Sequence, residues 1–163
     1  MASGAQSMSN IFRQYTQAEV LAMTEKERKA AKVSRYFSLW EVECHCGCGN
    51  ALMHPRQMQA MDALREHIGQ ALLIRWGVGG ESGSGFRCVS HNLAIGGEKN
   101  SYHLKGLACD CRANGLTVHE LAAAALAVPG FRQGGIGIYP RGGKRGWVHL
   151  DFRATGTPAR WVG

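Results

Sequence analysis

The sequence Trp147-Val-His-Leu-Asp-Phe152, near the end of the chain, alternates between polar or aromatic and aliphatic side chains. In a β-strand, successive side chains point to opposite faces, so Trp147, His149 and Asp151 share one face and the residues between them share the other. The aliphatic face is expected to pack against a core. The opposite face then carries an imidazole and a carboxylate, two groups suited to metal binding and proton transfer.

A second carboxylate, that of Asp110, alternates with Cys109 and Cys111, and His103 precedes it by seven residues across a glycine turn. Together with His149, these residues can bring two imidazoles and one carboxylate to a single point. Three nitrogen and oxygen ligands with a fourth position left for water are typical of a catalytic zinc, because structural zinc sites use four protein ligands. A zinc bound in this way lowers the pKa of its water and polarises a carbonyl, as amide hydrolysis requires. The alternative is that these are ordinary polar residues that cap or pair elsewhere.

Several predicted elements position these residues. Residues 135–139 and 147–152 flank a turn-forming sequence at 140–145 and predict a β-hairpin. Residues 55–69 run from a proline to a glycine with apolar residues three and four positions apart, which predicts an amphipathic helix, and residues 71–76 predict a short buried strand. Hydroxyl residues followed three positions later by glutamate predict the starts of further helices at Thr16, Thr24, Ser38 and Thr117, the last ending near residues 129–130.

At 163 residues, the chain is long enough for one domain with its own core. The predicted elements indicate the α+β class, with a small antiparallel sheet that carries the metal site and is flanked by helices. We divide the chain into an added leader at residues 1–8, ahead of a second start methionine, an N-terminal helical segment at 9–36 and a catalytic domain at 37–163.

The sequences around the candidate ligands resemble those of a known family. Ser101-Tyr-His-Leu-Lys-Gly-Leu-Ala-Cys-Asp110 and Trp147-Val-His-Leu-Asp151 match the Ser-x-His-x-x-Gly-x-Ala-x-Asp and His-x-Asp signatures of the zinc D-Ala-D-Ala carboxypeptidase family. That family includes phage L-alanyl-D-glutamate endopeptidases, and the hedgehog signalling domain is related to it. The resemblance extends from Phe37 to Arg153 and includes Phe37-Ser-Leu-Trp-Glu41, Cys44-His-Cys-Gly-Cys-Gly49, Ser84-Gly-Phe-Arg-Cys88 and Gly135-Ile-Gly-Ile-Tyr-Pro140.

The resemblance implies roles for five residues. His103, Asp110 and His149 correspond to the zinc ligands of the family. Arg87 would donate hydrogen bonds to the oxyanion that forms when water attacks, a role suited to a fixed planar cation, and Ser101 would bind the substrate backbone. The alternatives are a surface or carboxylate-paired arginine for the first and the N-cap of a loop for the second.

The sequence departs from its relatives at the general base. Many of them carry Glu three residues before the last histidine or His two before it, whereas this chain has Gly146 and Trp147 there. The carboxylate of Asp151 is suited to take a proton from zinc-bound water. Two positions along a strand correspond to about 6.6 Å, so Asp151 could equally orient the last histidine or pair with Arg87. Tyr139, on the neighbouring strand, is either a donor to the substrate or a buried core residue.

A cysteine-rich turn precedes the predicted amphipathic helix. Cys44, Cys46 and Cys48 alternate, so an extended segment would present three thiols on one side, and His45 or Cys88 could complete a set of four. One interpretation is a second, structural zinc ion. The spacing departs from the two-residue gap typical of zinc knuckles, so we favour reduced thiols in a tight, glycine-bearing turn.

Nineteen Lys and Arg against twelve Asp and Glu give a formal charge of +7, which favours an anionic partner such as cell-wall polymer. The basic residues are scattered and lack an aromatic-interleaved motif, so nucleic-acid binding is the weakest hypothesis. The sequence shows neither an export signal nor a run of roughly 20 apolar residues that could span a membrane. We expect a monomer made in the cytoplasm that reaches the wall by holin-type release.

The leading hypothesis is zinc-dependent hydrolysis of peptide bonds involving D-amino acids in peptidoglycan stem peptides, by a D,D-carboxypeptidase or an endopeptidase such as a phage endolysin. The alternative is a zinc-containing wall-binding module with little or no turnover, which the missing base residue keeps open. The bond cleaved depends on a pocket built by loops such as 77–85 and 140–146, so the sequence does not decide between these activities.

Overall fold

The computed structural model describes residues 12–76, 83–141, 146–153 and 155–163. Within these ranges the α-helices are α1 (Gln17–Ala22), α2 (Glu25–Ala30), α3 (Leu39–Val42), α4 (Pro55–Ile68), α5 (Val89–Ala94), α6 (Val118–Ala125) and α7 (Pro129–Gln133). The strands are β1 (Leu72–Leu73), β2 (Ala108–Ala113), β3 (Gly135–Tyr139), β4 (Trp147–Asp151) and β5 (Ala159–Val162). A 3₁₀ helix spans Tyr102–Lys105. Among the described helices, none has the length and apolar character needed to cross a membrane.

Two sequence predictions fall on other parts of the chain. The leader at residues 1–8 lies outside the described residues, and so do residues 77–82 of the loop expected to shape the substrate pocket. Both therefore stay predictions.

Capping boxes start the short N-terminal helices, as the sequence predicts. The backbone N–H groups of Thr16, Thr24 and Ser38 each donate to the carboxylate of the glutamate three residues later, at 2.7, 2.7 and 2.9 Å. This segment packs on the rest of the chain, because Tyr15 and Val20 belong to the same hydrophobic core as the sheet and the longer helices.

Helix α4 confirms the amphipathic helix predicted from the sequence. Pro55 occupies its first turn, and Gly69 caps its end with a φ of 64°. Helix α6 begins after the predicted capping box at Thr117 but ends at Ala125. Pro129 then begins the separate helix α7, because proline fits the first turn of a helix, where its missing N–H costs no hydrogen bond.

The sheet has the strand order β1-β2-β4-β3-β5. The predicted hairpin is confirmed by the antiparallel pairing of β3 with β4, while residues 142–145 of its turn lie outside the described residues. Strand β1 is shorter than the predicted strand at 71–76. Strand β5 was not predicted, and it adds a parallel pair with β3 to an otherwise antiparallel sheet. The α+β class is confirmed.

The two faces of the sheet differ in chemistry. Helices α6 and α7 contact strands β3 and β4, and Cys109, Cys111, Val148 and Leu150 are fully buried in the core with them. On the alternate positions, the register of β2 with β4 sets Asp110 directly opposite His149. The sheet therefore presents one apolar face and one face that carries ionisable groups.

Candidate metal and catalytic site

Three side chains meet over the centre of the sheet, which we call the histidine–aspartate site: His103, Asp110 and His149. Asp110 Oδ1 lies 2.9 Å from His149 Nδ1 and 3.3 Å from His103 Nε2. The two imidazole nitrogens, His103 Nε2 and His149 Nδ1, are 3.2 Å apart. The structure therefore brings together the three residues that the resemblance implies as ligands.

The donor atoms of the histidine–aspartate site suit a tetrahedral zinc ion. Zinc bonds to nitrogen and oxygen of about 2.0–2.1 Å would put neighbouring ligand atoms about 3.3 Å apart. The three observed separations, 2.9, 3.2 and 3.3 Å, are close to that value. Among the described residues, these three ligand-type side chains group together without a fourth, as in catalytic rather than structural zinc sites.

The other nitrogen of each imidazole is held by a hydrogen-bond acceptor. His103 Nδ1 lies 2.7 Å from the carbonyl oxygen of Gly85, which can only accept, so Nδ1 carries the proton and Nε2 presents its lone pair to the site. His149 Nε2 lies 3.1 Å from Asp151 Oδ2, which leaves Nδ1 facing Asp110. Such partners fix the tautomer and the ring orientation of metal-binding histidines.

Asp151 is fully buried beneath His149 and is saturated with donors. Its Oδ1 accepts from the Gly135 N–H at 2.9 Å and from Arg153 Nε at 2.6 Å, and its Oδ2 pairs with Arg153 Nη2. Burial raises the pKa of Asp151, but Arg153 and His149 outweigh this effect and lower the pKa to about 2. Asp151 is therefore an anion that is hydrogen-bonded to His149, and its arginine partner is Arg153 instead of Arg87.

Burial and charge act in opposite directions on the pKa values of the three candidate ligands. Burial lowers the pKa of His103, and this effect prevails over the neighbouring Asp110 carboxylate. Burial also lowers the pKa of His149, but hydrogen bonds to Asp110 and Asp151 outweigh it and raise the pKa to about 9. Burial raises the pKa of Asp110, yet the two histidines hold it well below its usual range. His149 is therefore the more basic of the two histidines.

Arg87 is fixed beside the histidine–aspartate site. Its Nη2 forms an ion pair with Asp110 Oδ2, and its Nε donates to Ser84 Oγ at 3.1 Å. Its backbone N–H donates to the His103 carbonyl at 3.2 Å, which ties the Arg87 segment to this ligand. The carboxylate-paired alternative is thus the one observed, and the guanidinium also lines the cavity over the site. Its role toward an oxyanion stays a prediction.

A cavity of about 610 Å³ opens over the histidine–aspartate site. Ser101 lines it and also caps the 3₁₀ helix, since its Oγ accepts the His103 N–H at 3.3 Å. Tyr139 lines it as well, with its ring stacked on Trp147 at 4.9 Å and its hydroxyl accepting from Trp161 Nε1 at 2.9 Å. Both residues lie where substrate contact is available, and both also support the local structure.

Two side chains of this cavity, Trp161 and Arg153, were not predicted from the sequence. The Trp161 ring lies 5.3 Å from the His149 ring, and Gly137 makes room for it, because a Cβ at residue 137 would stand 2.3 Å from that ring. Trp161 was missed because β5 was not predicted, and the four residues of that strand, Ala159–Val162, show no strict alternation of apolar and polar side chains. Arg153 lies two positions beyond Asp151, within the range of the resemblance.

Comparison with known proteins agrees with this geometry. The profile of the family described as Peptidase M15 matches residues 35–151. The chain is 36% identical over 83 residues to the peptidoglycan L,D-endopeptidase MepK of Escherichia coli, covering 48% of this chain and 41% of that protein. It is 34% identical over 84 residues to the probable peptidoglycan L,D-endopeptidase MepK of Haemophilus influenzae, covering 48% of this chain and 40% of that protein. The matches therefore span less than half of either relative. Since the family profile covers most of the chain and includes all three residues of the histidine–aspartate site, the chain belongs to the Peptidase M15 family.

Proposed function

We propose that this protein is a zinc-dependent peptidase that hydrolyses peptide bonds involving D-amino acids in the stem peptides of bacterial peptidoglycan. The observation that carries the proposal is the set of three nitrogen and oxygen donors, 2.9 to 3.3 Å apart, at an open cavity. Membership of the Peptidase M15 family and the names of the matched relatives, which are peptidoglycan L,D-endopeptidases, support it.

Different residues of the site would support different steps of amide hydrolysis. A zinc ion held by His103, Asp110 and His149 would supply a Lewis acid and a bound water of lowered pKa. The guanidinium of Arg87, held by Asp110 and Ser84, presents fixed donors where negative charge develops on a substrate carbonyl. Fixed donors of this kind need no reorganisation during the reaction.

We further propose that Asp151 orients His149 and does not take the proton from water. Both of its carboxylate oxygens already accept hydrogen bonds, and its side chain is fully buried. A general base must instead present a free acceptor oxygen to the cavity. Besides Asp110 and Asp151, Glu98 is the one acidic residue among the described residues that line it, and it is exposed. Glu98 is therefore the residue to test as the base.

For the bond cleaved, we favour an internal cut over removal of a terminal D-alanine. Support comes from the matched relatives, which are named as L,D-endopeptidases. The formal charge of +7 fits an anionic polymer, because opposite charge raises the local concentration of such a substrate. Action at the wall after holin-type release, as for a phage endolysin, is part of the same proposal.

The alternative function is a wall-binding module with little turnover. The observation that favours it is that β4, as the structure describes it, offers no free carboxylate beside His149, because Asp151 is occupied. Such a module would still hold zinc and would still bind stem peptides.

One digestion experiment separates these functions. Purified peptidoglycan is incubated with the zinc-loaded protein, and released fragments are identified by mass spectrometry. Cleaved internal bonds support the endopeptidase, whereas free D-alanine alone indicates a carboxypeptidase. Sedimentation of the protein with peptidoglycan, without release of any fragment, would contradict the peptidase function and support the binding module. The control variant His119→Ala changes an exposed histidine outside the cavity and should digest peptidoglycan at the wild-type rate.

A further inference from the structure

A second group of ligand-type side chains lies outside the catalytic cavity, and we call it the cysteine cluster: Cys44, Cys46, Cys48 and Cys88. Its four sulfur atoms lie within 4.8 Å of one another. The Cys44 and Cys46 sulfurs are 3.4 Å apart, and those of Cys46 and Cys88 are 3.6 Å apart. These cysteines come from the turn after α3 and from the residue before α5, which are 40 residues apart between Cys48 and Cys88.

The sulfur separations suit a tetrahedral metal ion. Zinc–sulfur bonds of about 2.3 Å place the sulfurs of a four-cysteine site about 3.8 Å apart. The observed 3.4 and 3.6 Å are near that value and far longer than the roughly 2.05 Å of a disulfide bond. The fourth member of the set is Cys88 and not His45, which lies outside the group.

Nitrogen donors point at three of the four sulfurs. The Cys88 N–H donates to Cys44 Sγ at 3.3 Å, the His91 N–H donates to Cys88 Sγ at 3.4 Å, and Asn50 Nδ2 donates to Cys48 Sγ at 3.3 Å. Donors of this kind stabilise thiolates, the form of cysteine that binds metals. The segment forms a tight turn through Gly47 at a φ of 79°, as favoured from the sequence, and not the extended strand considered for the zinc alternative.

We propose that the cysteine cluster binds a structural zinc ion in a closed shell of four thiolates. Binding replaces the thiol protons, which pass to solvent. The site would join the turn after α3 to the segment that carries Arg87, because Cys88 is the next residue. Two backbone hydrogen bonds run through the same segment, from Phe86 N to Val42 O at 2.9 Å and from Arg87 N to His103 O at 3.2 Å. This zinc would thereby position Arg87 without touching the substrate.

The test measures zinc content and the zinc shell in protein purified under reducing conditions. Wild-type protein should carry two zinc ions, and His149→Ala should keep one. X-ray absorption on His149→Ala should then show four sulfur neighbours at about 2.3 Å. Because this variant removes a ligand of the histidine–aspartate site alone, the result does not depend on the proposed peptidase activity.

Two cysteine variants complete the test. Cys46→Ser, at an exposed position, should lose one zinc, whereas the core control Cys111→Ala should keep both. Retention of the second zinc ion by both single variants, Cys46→Ser and Cys48→Ser, would overturn the proposal. A His149→Ala protein that holds no zinc would overturn it as well. So would an X-ray absorption spectrum with only nitrogen and oxygen neighbours, or a protein mass that shows a disulfide between two cysteines of the cluster. Should Cys46→Ser fail to fold, X-ray absorption on His149→Ala alone still decides the question.

Discussion

The histidine–aspartate site and the cysteine cluster differ in donor chemistry and in access. The former offers two nitrogens and one carboxylate oxygen, has two of its three residues on neighbouring strands and faces a cavity of about 610 Å³. The cysteine cluster offers four sulfurs between the turn after α3 and the start of α5, and none of its four cysteines lines that cavity. Three ligands beside a cavity leave room for a reacting molecule, whereas four ligands close the shell. The number of ligands and their surroundings thus separate a site for chemistry from one for structure.

Both groups are connected through one short segment. The Arg87 side chain pairs with Asp110, the Ser84 carbonyl accepts the Asp110 N–H at 2.8 Å, and Cys88 belongs to the cysteine cluster. A change in the cysteine cluster should therefore reach the reaction by displacing Arg87. A change at His103, Asp110 or His149 should act on the reaction directly.

Stepwise removal of metal should give the largest difference in activity between the histidine–aspartate site and the cysteine cluster. A moderate chelator should first remove zinc from the histidine–aspartate site, because this site would hold the ion with three protein ligands beside a cavity. Hydrolysis should then be lost completely and should return when zinc is added, while helical circular dichroism stays unchanged. Zinc content and rate are followed on the same samples. Full activity after loss of the first zinc would reverse the assignment of the two groups.

Arg87→Lys should have the next largest effect. Lysine keeps the charge but loses the planar fork that holds both Asp110 and Ser84, so turnover should fall on the order of a hundredfold. Zinc content should stay at the wild-type level. Arg75→Lys is the matched control, because Arg75 also pairs with a carboxylate, that of Glu43, outside the cavity. Equal rates for the two variants would return Arg87 to a structural role.

Asp151→Asn should have a smaller effect, which excess zinc corrects. Loss of the anionic acceptor at His149 Nε2 should weaken zinc affinity by roughly ten- to a hundredfold, and turnover at saturating zinc should approach wild type. Asp62→Asn is the control, since Asp62 accepts hydrogen bonds from Ser34 and the Arg35 backbone instead. A rate that stays low at every zinc concentration would instead make Asp151 the general base.

The sequence by itself determined the elements that obey local rules. Capping boxes fix helix starts because the N-cap and the third helical residue satisfy each other's backbone groups, as at Thr16 and Thr117. Alternation along β2 and β4 separated Asp110 and His149 from the core cysteines, because strand side chains alternate regardless of the partner strand. The spacing around His103 was specific enough to indicate the family, which the profile match confirms.

Tertiary structure alone decided how distant residues meet. No local pattern could show that Arg87 pairs with Asp110, 23 residues away, and thereby leaves Asp151 to the nearby Arg153. Pairing of β5 with β3 brought Trp161 beside His149, a contact that depends on the absence of a side chain at Gly137. The sequence left either His45 or Cys88 as the fourth member of the cysteine set, and the fold decided for Cys88 because it places the start of α5 beside the turn after α3.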